Sequence, residues 1–364
     1  MAFNPERGSR TIRVLIVDDS PVSVELLSHI LSSDREIVIA GIARNGEEAI
    51  AATGSEMPDV VTMDITMPGL SGFETTRRMM ETRPVPIIIV SSVYDRQNVL
   101  LSLRAVEAGA LTILEKPPGL GHPDHSAKAR ELIQTVKAMS EVKVVTRRSV
   151  AKRTATPVAG ALHSCDIRTD KDIRLIAIGA STGGPIVLQE ILTKLPRELP
   201  VPIVAVQHIT KGYAAGLAEW LNQTTGFTVK LAEQGERLTP GCAYIAPDNV
   251  HMEVDYGDRA RLTNDPPVNH LRPAVARLFS SVERIYGAQS VAVLLTGMGN
   301  DGAKELKMLR DRGATTIAQN SESSIVHGMP GEAIRLGGAA HILPPDRIAF
   351  ILASLVMKGQ PGTT

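Results

Sequence analysis

Short, nearly continuous apolar runs, separated by amphipathic stretches and closed by polar or small residues, recur through most of this 364-residue chain. That rhythm constrains the fold more than any other feature. A strand buried on both faces reads as an unbroken Val/Ile-rich run, and such strands belong to parallel sheets covered by helices. From Thr11 to Glu141 the runs are TIRVLIV, EIVIAGIA, DVVTMDI, VPIIIVSS and ALTILEK. Between the first two, Val22, Leu26, Leu27, Ile30 and Leu31 fall at helical spacing, and Ser20 precedes Pro21 as a helix N-cap. Five β/α units of this length predict a doubly wound parallel sheet. The rhythm returns at Ile173 with IRLIAIGA, PIVAVQH, CAYIAP, SVAVLLT and ATTIAQ. Helices are expected over PIVLQEILTKL, with Val187, Ile191 and Leu195 on one face, and over DGAKELKMLRDRG, with Leu306 and Leu309 inward and Gly313 as its stop. Between Phe227 and Leu262, short β-prone runs and turn residues predict antiparallel strands or a hairpin. The fold class expected is α/β, with two doubly wound parallel-sheet domains.

The stretch VKVVTRRSVAKRTATPVAG breaks the rhythm. It is basic, with neither a helical stripe nor turn-bounded strands, and reads as a tether. The expected division is a first domain over 11–141, a linker over 142–172 and a second domain over 173–358. The length agrees, at roughly 100–200 residues per domain. Lys plus Arg and Asp plus Glu each total 39, so the chain lacks the basic footprint of a nucleic-acid binder. Aromatic residues make up 3%, too few for base-stacking platforms. Cys165 and Cys242 cannot build a disulfide framework and read as two reduced thiols. No apolar run approaches the ~20 residues of a membrane span, and MAFNPERGSRT has no signal-peptide core. A cytoplasmic protein without membrane insertion is expected.

In the first half, Asp18 and Asp19 end the first run, Asp64 the third, Ser91 the fourth and Lys116 the fifth. Ligands of open parallel sheets bind outside the carboxyl ends of the strands. Carboxylates gathered there repel one another unless a hard cation sits among them, and Mg²⁺ suits carboxylates plus water. One such Asp is easily a helix N-cap, but the whole set with a lysine is not. With LIVDDS, MDITMPGLSG, IIIVSS and EKPP, this half resembles the receiver domain of two-component response regulators. The resemblance implies a flavodoxin-like (βα)5 fold. It makes Asp64 the phosphoacceptor and Asp18 and Asp19 the Mg²⁺ site, with the Thr66 carbonyl as a further ligand. Ser91 and Lys116 then contact the phosphoryl group. Thr66 stands where related sequences often carry an acid, which bears on the lifetime of the phosphorylated state.

In the second half, Gly179-Ala180-Ser181-Thr182-Gly183 lies between a strand and a helix, the setting of a nucleophile elbow. A dinucleotide cradle would carry G-x-G-x-x-G, and Ser181 occupies the place of its second glycine. His208 ends the next run, and Asp301 follows the SVAVLLT run. A serine hydroxyl needs a base, and the base needs an orienting carboxylate. Taken singly, Ser181 and Asp301 could be N-caps and His208 a core histidine, but all three map to strand carboxyl ends of one sheet. Their order, Ser-His-Asp, differs from the Ser-Asp-His of α/β-hydrolases.

The motifs GASTGGP, QHI, YIAPDNVH, HLRPAV, LLTGMGNDG and VHGMP make residues 173–355 resemble the catalytic domain of chemotaxis protein-glutamate methylesterases. The resemblance implies a Ser181–His208–Asp301 triad, with the Thr182 and Met298 amides as oxyanion hole and no cofactor for hydrolysis. It implies methylated glutamates on chemoreceptor cytoplasmic helices as substrate, deamidation of selected receptor glutamines, and a sensor histidine kinase as phosphodonor. A receiver tethered to its output domain implies an intramolecular contact that phosphorylation loosens. Asn320 stands where relatives carry an acid after the AQ strand. The rival reading is a phosphorylation-gated module that binds a nucleotide or partner without hydrolysis. DNA binding is disfavoured, because no helix-turn-helix pattern with a basic recognition helix is present.

Overall fold

The structure, a computed structural model, describes residues 11–55, 57–92, 96–142, 144 and 172–357. It divides into two compact units, Met1–Gly160 and Ala161–Thr364. Nearly all of the expected linker, Cys165 among it, lies outside the described residues. Among the described residues, no helix is long and apolar enough to cross a membrane.

The first unit alternates β1 (Ile12–Val17), α1 (Pro21–Ser32), β2 (Ile37–Ala43), α2 (Gly46–Ser55), β3 (Val60–Met63), α3 (Gly72–Thr82), β4 (Ile87–Ser91), α4 (Arg96–Ala108), β5 (Thr112–Glu115) and α5 (His125–Ser140). The strands pair in parallel in the order β2-β1-β3-β4-β5. β3 and β4 are buried at every residue, as their unbroken apolar character demands. The edge strand β2 leaves Val38 and Ile42 half-exposed. Ser20 caps α1 by accepting from the Ser23 amide, and Pro21 opens the helix. Leu27, Ile30 and Leu31 bury its inner face. Val22, in the first turn, is exposed. The order reverses between β1 and β3, so Asp18 and Asp64 sit at the topological switch point.

The second unit begins with β6 (Leu175–Ala180), α6 (Gly184–Lys194), β7 (Ile203–Gln207), α7 (Ala214–Thr225), β8 (Thr228–Leu231), β9 (Cys242–Ile245), β10 (His251–Asp255) and β11 (Arg259–Thr263). It continues with α8 (Val275–Ile285), β12 (Ser290–Leu294), α9 (Ala303–Asp311), β13 (Thr315–Gln319), α10 (Met329–Arg335), β14 (His341–Leu343) and α11 (Pro345–Met357). Seven strands form one parallel sheet in the order β14-β13-β12-β6-β7-β9-β8. The hairpin expected before Leu262 is β10 with β11, an antiparallel pair.

β8 lies in the same stretch but outside that hairpin. It pairs in parallel with β9, Thr228 facing Cys242. The crossover through α7 restores its direction, and β9 then inserts between β7 and β8. The three-residue β14 carries too little pattern to be read from sequence. Both expected helices form. Val187, Ile191 and Leu195 are buried, as are Leu306 and Leu309, and Gly313 adopts φ +86 past α9. Tyr244, Phe279, Val282 and Leu306 belong to one core that spans the sheet, the hairpin and α8–α9. β6, flanked by β7 and β12, is where strand order reverses, so the switch point of this unit lies at Ser181.

Candidate functional site

In the first unit, Asp18, Asp19 and Asp64 offer carboxylate oxygens that all lie within 4.8 Å of one another. Asp18 and Asp64 are buried and Asp19 is exposed. The Lys116 ammonium donates to Asp64 Oδ2 at 2.9 Å and lies 2.7 Å from Asp18 Oδ2. The Asp18 contact is a close ion pair without aligned hydrogen-bond geometry. Burial alone would pull Lys116 down, but the two carboxylates outweigh it and hold the ammonium above its ordinary value. Ser91 ends β4 beside these groups and is buried. Thr66 donates to Asn98 Oδ1 at 3.3 Å. Gly72 opens α3 against the Asp64 backbone, where a Cβ would fall into the Asp64 carbonyl.

In the second unit, β6 and β7 run in register, Ala180 facing Gln207, so Ser181 and His208 follow adjacent strand ends. The His208 amide donates to the Ala180 carbonyl at 2.9 Å, and the Ser181 amide to Thr296 at 3.0 Å. Ser181 is no N-cap. Gly183 takes that place at φ +79, without a side-chain cap. Asp301 does not cap its own helix either, since Gly302 precedes α9. Its carboxylate reaches the bare start of α8 instead. Oδ2 accepts from the Val275 amide at 2.7 Å and Oδ1 from the Ala276 amide at 3.0 Å. Asp301 thus caps a helix remote in sequence, and α8 fixes its orientation. His208 Nε2 lies 2.9 Å from Asp301 Oδ2, again a close contact without aligned hydrogen-bond geometry. Both side chains are nearly buried, at 11% and 3% exposed.

Thr182 follows Ser181, and Met298 follows Gly297. Among the described residues, no group accepts from either amide. Gly297 lets this loop close on the serine, for a Cβ there would sit 2.6 Å from the Ser181 Cβ. The Gly297 carbonyl in turn accepts from Gly328 and Met329 at 3.1 and 2.9 Å.

The sequence matches the model of the CheB methylesterase family over residues 176–352 and that of the response regulator receiver domain over 14–122. It is 50% identical over 348 residues to protein-glutamate methylesterase/protein-glutamine glutaminase 4 of Geobacter metallireducens, covering 95% of this chain and 99% of that protein. The chain belongs to the CheB methylesterase family. A second relative, the protein-glutamate methylesterase/protein-glutamine glutaminase of Nitrosospira multiformis, is 49% identical over 347 residues, covering 95% of this chain and 98% of that protein. The crystal structure of the Thermotoga maritima CheB methylesterase catalytic domain is 38% identical, covers 50% of this chain and 98% of that one, and has a TM-score of 0.49.

Several supports of this CheB-family site lie within or beside the quoted motifs, but their roles are visible only in the structure. Thr296 donates to the Thr182 carbonyl at 3.0 Å and accepts from the Val326 amide at 3.0 Å. The Thr296 amide donates to Gln319 Oε1 at 2.8 Å. Both side chains are fully buried polar groups. The available signal was their position, since each closes an apolar run of the same sheet. His251 accepts from the Ala274 amide at 3.3 Å and holds the entry to α8. His327, whose backbone bridges to Gly297, is kept below the ordinary histidine value by burial, so its imidazole is neutral at pH 7. Burial raises the Glu305 carboxyl, and the neighbouring Asp301 charge adds to the rise.

Gly179 admits α8 to the elbow. A Cβ at 179 would overlap Val275 Cγ1 and come 2.9 Å from Leu294 Cδ1. Gly179→Ala should therefore lower the unfolding free energy by about 1–3 kcal/mol, the usual range for overpacking a filled core. A urea midpoint equal to that of the unsubstituted protein would show that Val275 moves aside freely.

Proposed function

We propose that this chain hydrolyses glutamyl methyl esters on chemoreceptors, and deamidates selected receptor glutamines, through Ser181 under the control of phosphorylation at Asp64. The observation that carries the reading is the meeting of His208 and Asp301 at 2.9 Å beside the strand end that presents Ser181. With Nε2 lying 2.9 Å from Asp301 Oδ2, Nδ1 is the ring nitrogen left to take the Ser181 proton. Ser181 attacks the ester carbonyl, and the developing oxyanion is received by the Thr182 and Met298 amides. Methanol leaves as His208 returns the proton, and water releases the glutamate by the reverse sequence. Deamidation follows the same path, with ammonia as leaving group. The rival reading, a phosphate cradle at GASTGG, gives His208 and Asp301 no task.

In the first unit, Asp64 accepts the phosphoryl group, Lys116 pairs with it and Ser91 contacts it. The carboxylate set suits a hard divalent cation. The Thr66 carbonyl, which accepts from no backbone amide among the described residues, adds a fourth oxygen. Mg²⁺ held by Asp18, Asp19, Asp64 and that carbonyl would offset the roughly −1.5 to −2 charges a phosphoryl group brings. The working division is a receiver over 11–141, a tether over 142–172 and a catalytic domain over 173–358, in the cytoplasm, with a histidine kinase as donor. The unphosphorylated receiver restrains the catalytic domain, and phosphorylation favours the released form by its differential stabilisation.

The test is methanol release from methylated receptor, with and without a small phosphodonor and Mg²⁺. The unsubstituted protein should be stimulated, and Asp64→Asn should keep its basal rate without responding. Equal stimulation of both would remove Asp64 from the switch, and no methanol from either would remove the esterase.

A further inference from the structure

We propose that Gln207 is a positioning residue that holds nucleophile and base in register, an inference that rests on the hydrolase reading of Ser181 and His208. Gln207 ends β7 with its side chain buried. Its Nε2 donates to the Ser181 carbonyl at 2.7 Å and to the His208 carbonyl at 2.7 Å. Both hydrogens of one carboxamide are therefore spent on the backbones of the two residues whose side chains must exchange a proton. The orientation is determined by the partners. Turning the amide over would set Oε1 against two carbonyl oxygens.

The position of this link matters. The last paired residues of β6 and β7 are Ala180 and Gln207, and one more ladder bond runs from the His208 amide to the Ala180 carbonyl. Past that bond Ser181 turns into the elbow while His208 leads into a loop. The carboxamide spans the place where the two chains part.

Two observations separate positioning from packing. First, Gln207 Oε1 is buried and has no partner among the described residues. An unpaired buried acceptor destabilises the fold, and a methionine of similar volume would avoid it. The amide is thus kept for its donors. Second, Gly184 makes room for it, because a Cβ at 184 would overlap Gln207 Oε1. The two glycines after Thr182 have separate tasks. Gly183 turns the chain at φ +79, and Gly184 admits the carboxamide.

The experiment uses the full chain with Gln207→Met, which keeps volume and removes the donors, and Gln207→Glu, which keeps shape and leaves at most one donor. Three quantities are read: the rate at which a serine-reactive phosphonate labels Ser181, kcat and KM for methanol release, and the pH profile of kcat/KM. A displaced nucleophile should lower labelling and kcat by about 100-fold in Gln207→Met, the scale of a 1 Å misplacement. KM should stay near its original value, the kcat/KM profile should shift along the pH axis, and circular dichroism should remain native. Unchanged labelling and kcat in a folded variant would overturn the inference. Loss of fold in both variants would overturn it too, making Gln207 a residue of the fold. An unsubstituted protein that takes no label at Ser181 would instead overturn the hydrolase reading, so the two failures are distinguishable.

Discussion

Ser181→Ala should all but abolish methanol release from methylated receptor, lowering kcat by about 10⁶-fold. The size follows from the geometry. In the proposed mechanism the nucleophile and its base act as one unit, so removing either leaves only the oxyanion donors and substrate binding. The proposed donors, the amides of Thr182 and Met298, belong to the backbone and survive the substitution. For the same reason His208→Ala should cost nearly as much, and the double variant little more than either single one. The protein should remain folded, because among the described residues the Ser181 hydroxyl joins no hydrogen bond that holds the elbow. The elbow is held instead by the Ser181 amide and carbonyl, through Thr296, Gly184 and Gln207. A rate within about tenfold of the unsubstituted protein would assign the chemistry elsewhere.

Asp301→Asn should lower kcat by about 10⁴-fold, as removal of the orienting charge does in serine triads. Here it should also destabilise the protein. Asp301 accepts from two amides at the start of α8, one with each oxygen. Asparagine offers one carbonyl oxygen and turns an N–H₂ group toward the other amide, leaving a buried donor unpaired. That loss is worth about 1–3 kcal/mol. Steady-state methanol release and urea denaturation on the same sample separate the two effects. A stable but inactive variant would confine Asp301 to the histidine, and a destabilised but active one would confine it to the helix cap.

The clustering of residues at both candidate sites was legible because parallel sheets place their carboxyl ends along one edge. Polar residues closing apolar runs, Asp18, Asp64 and Lys116 in one half and Ser181 and His208 in the other, had to share an edge once the strands were recognised. Asp301 was legible as a residue past a strand but not as the cap of α8, since its two donors lie in a helix that precedes it in sequence. The roles of Gln207, Thr296 and Gln319 were not legible, because a single buried amide or hydroxyl has no periodicity to betray it. The direction of β8 was not legible, because short β-prone runs separated by turn residues look alike whichever way the chain re-enters the sheet.

The sequence by itself determined the α/β class, the two-part plan and which polar side chains stand at the strand ends. Hydrophobic period and strand-end residue type are local properties that any parallel sheet converts into one active edge. Tertiary structure alone decided which of them meet. β6 lies between β7 and β12, so His208 and Asp301 arrive from opposite sides of the serine strand. Strand order of this kind depends on how crossovers pack over the sheet, and no local pattern in the chain records it.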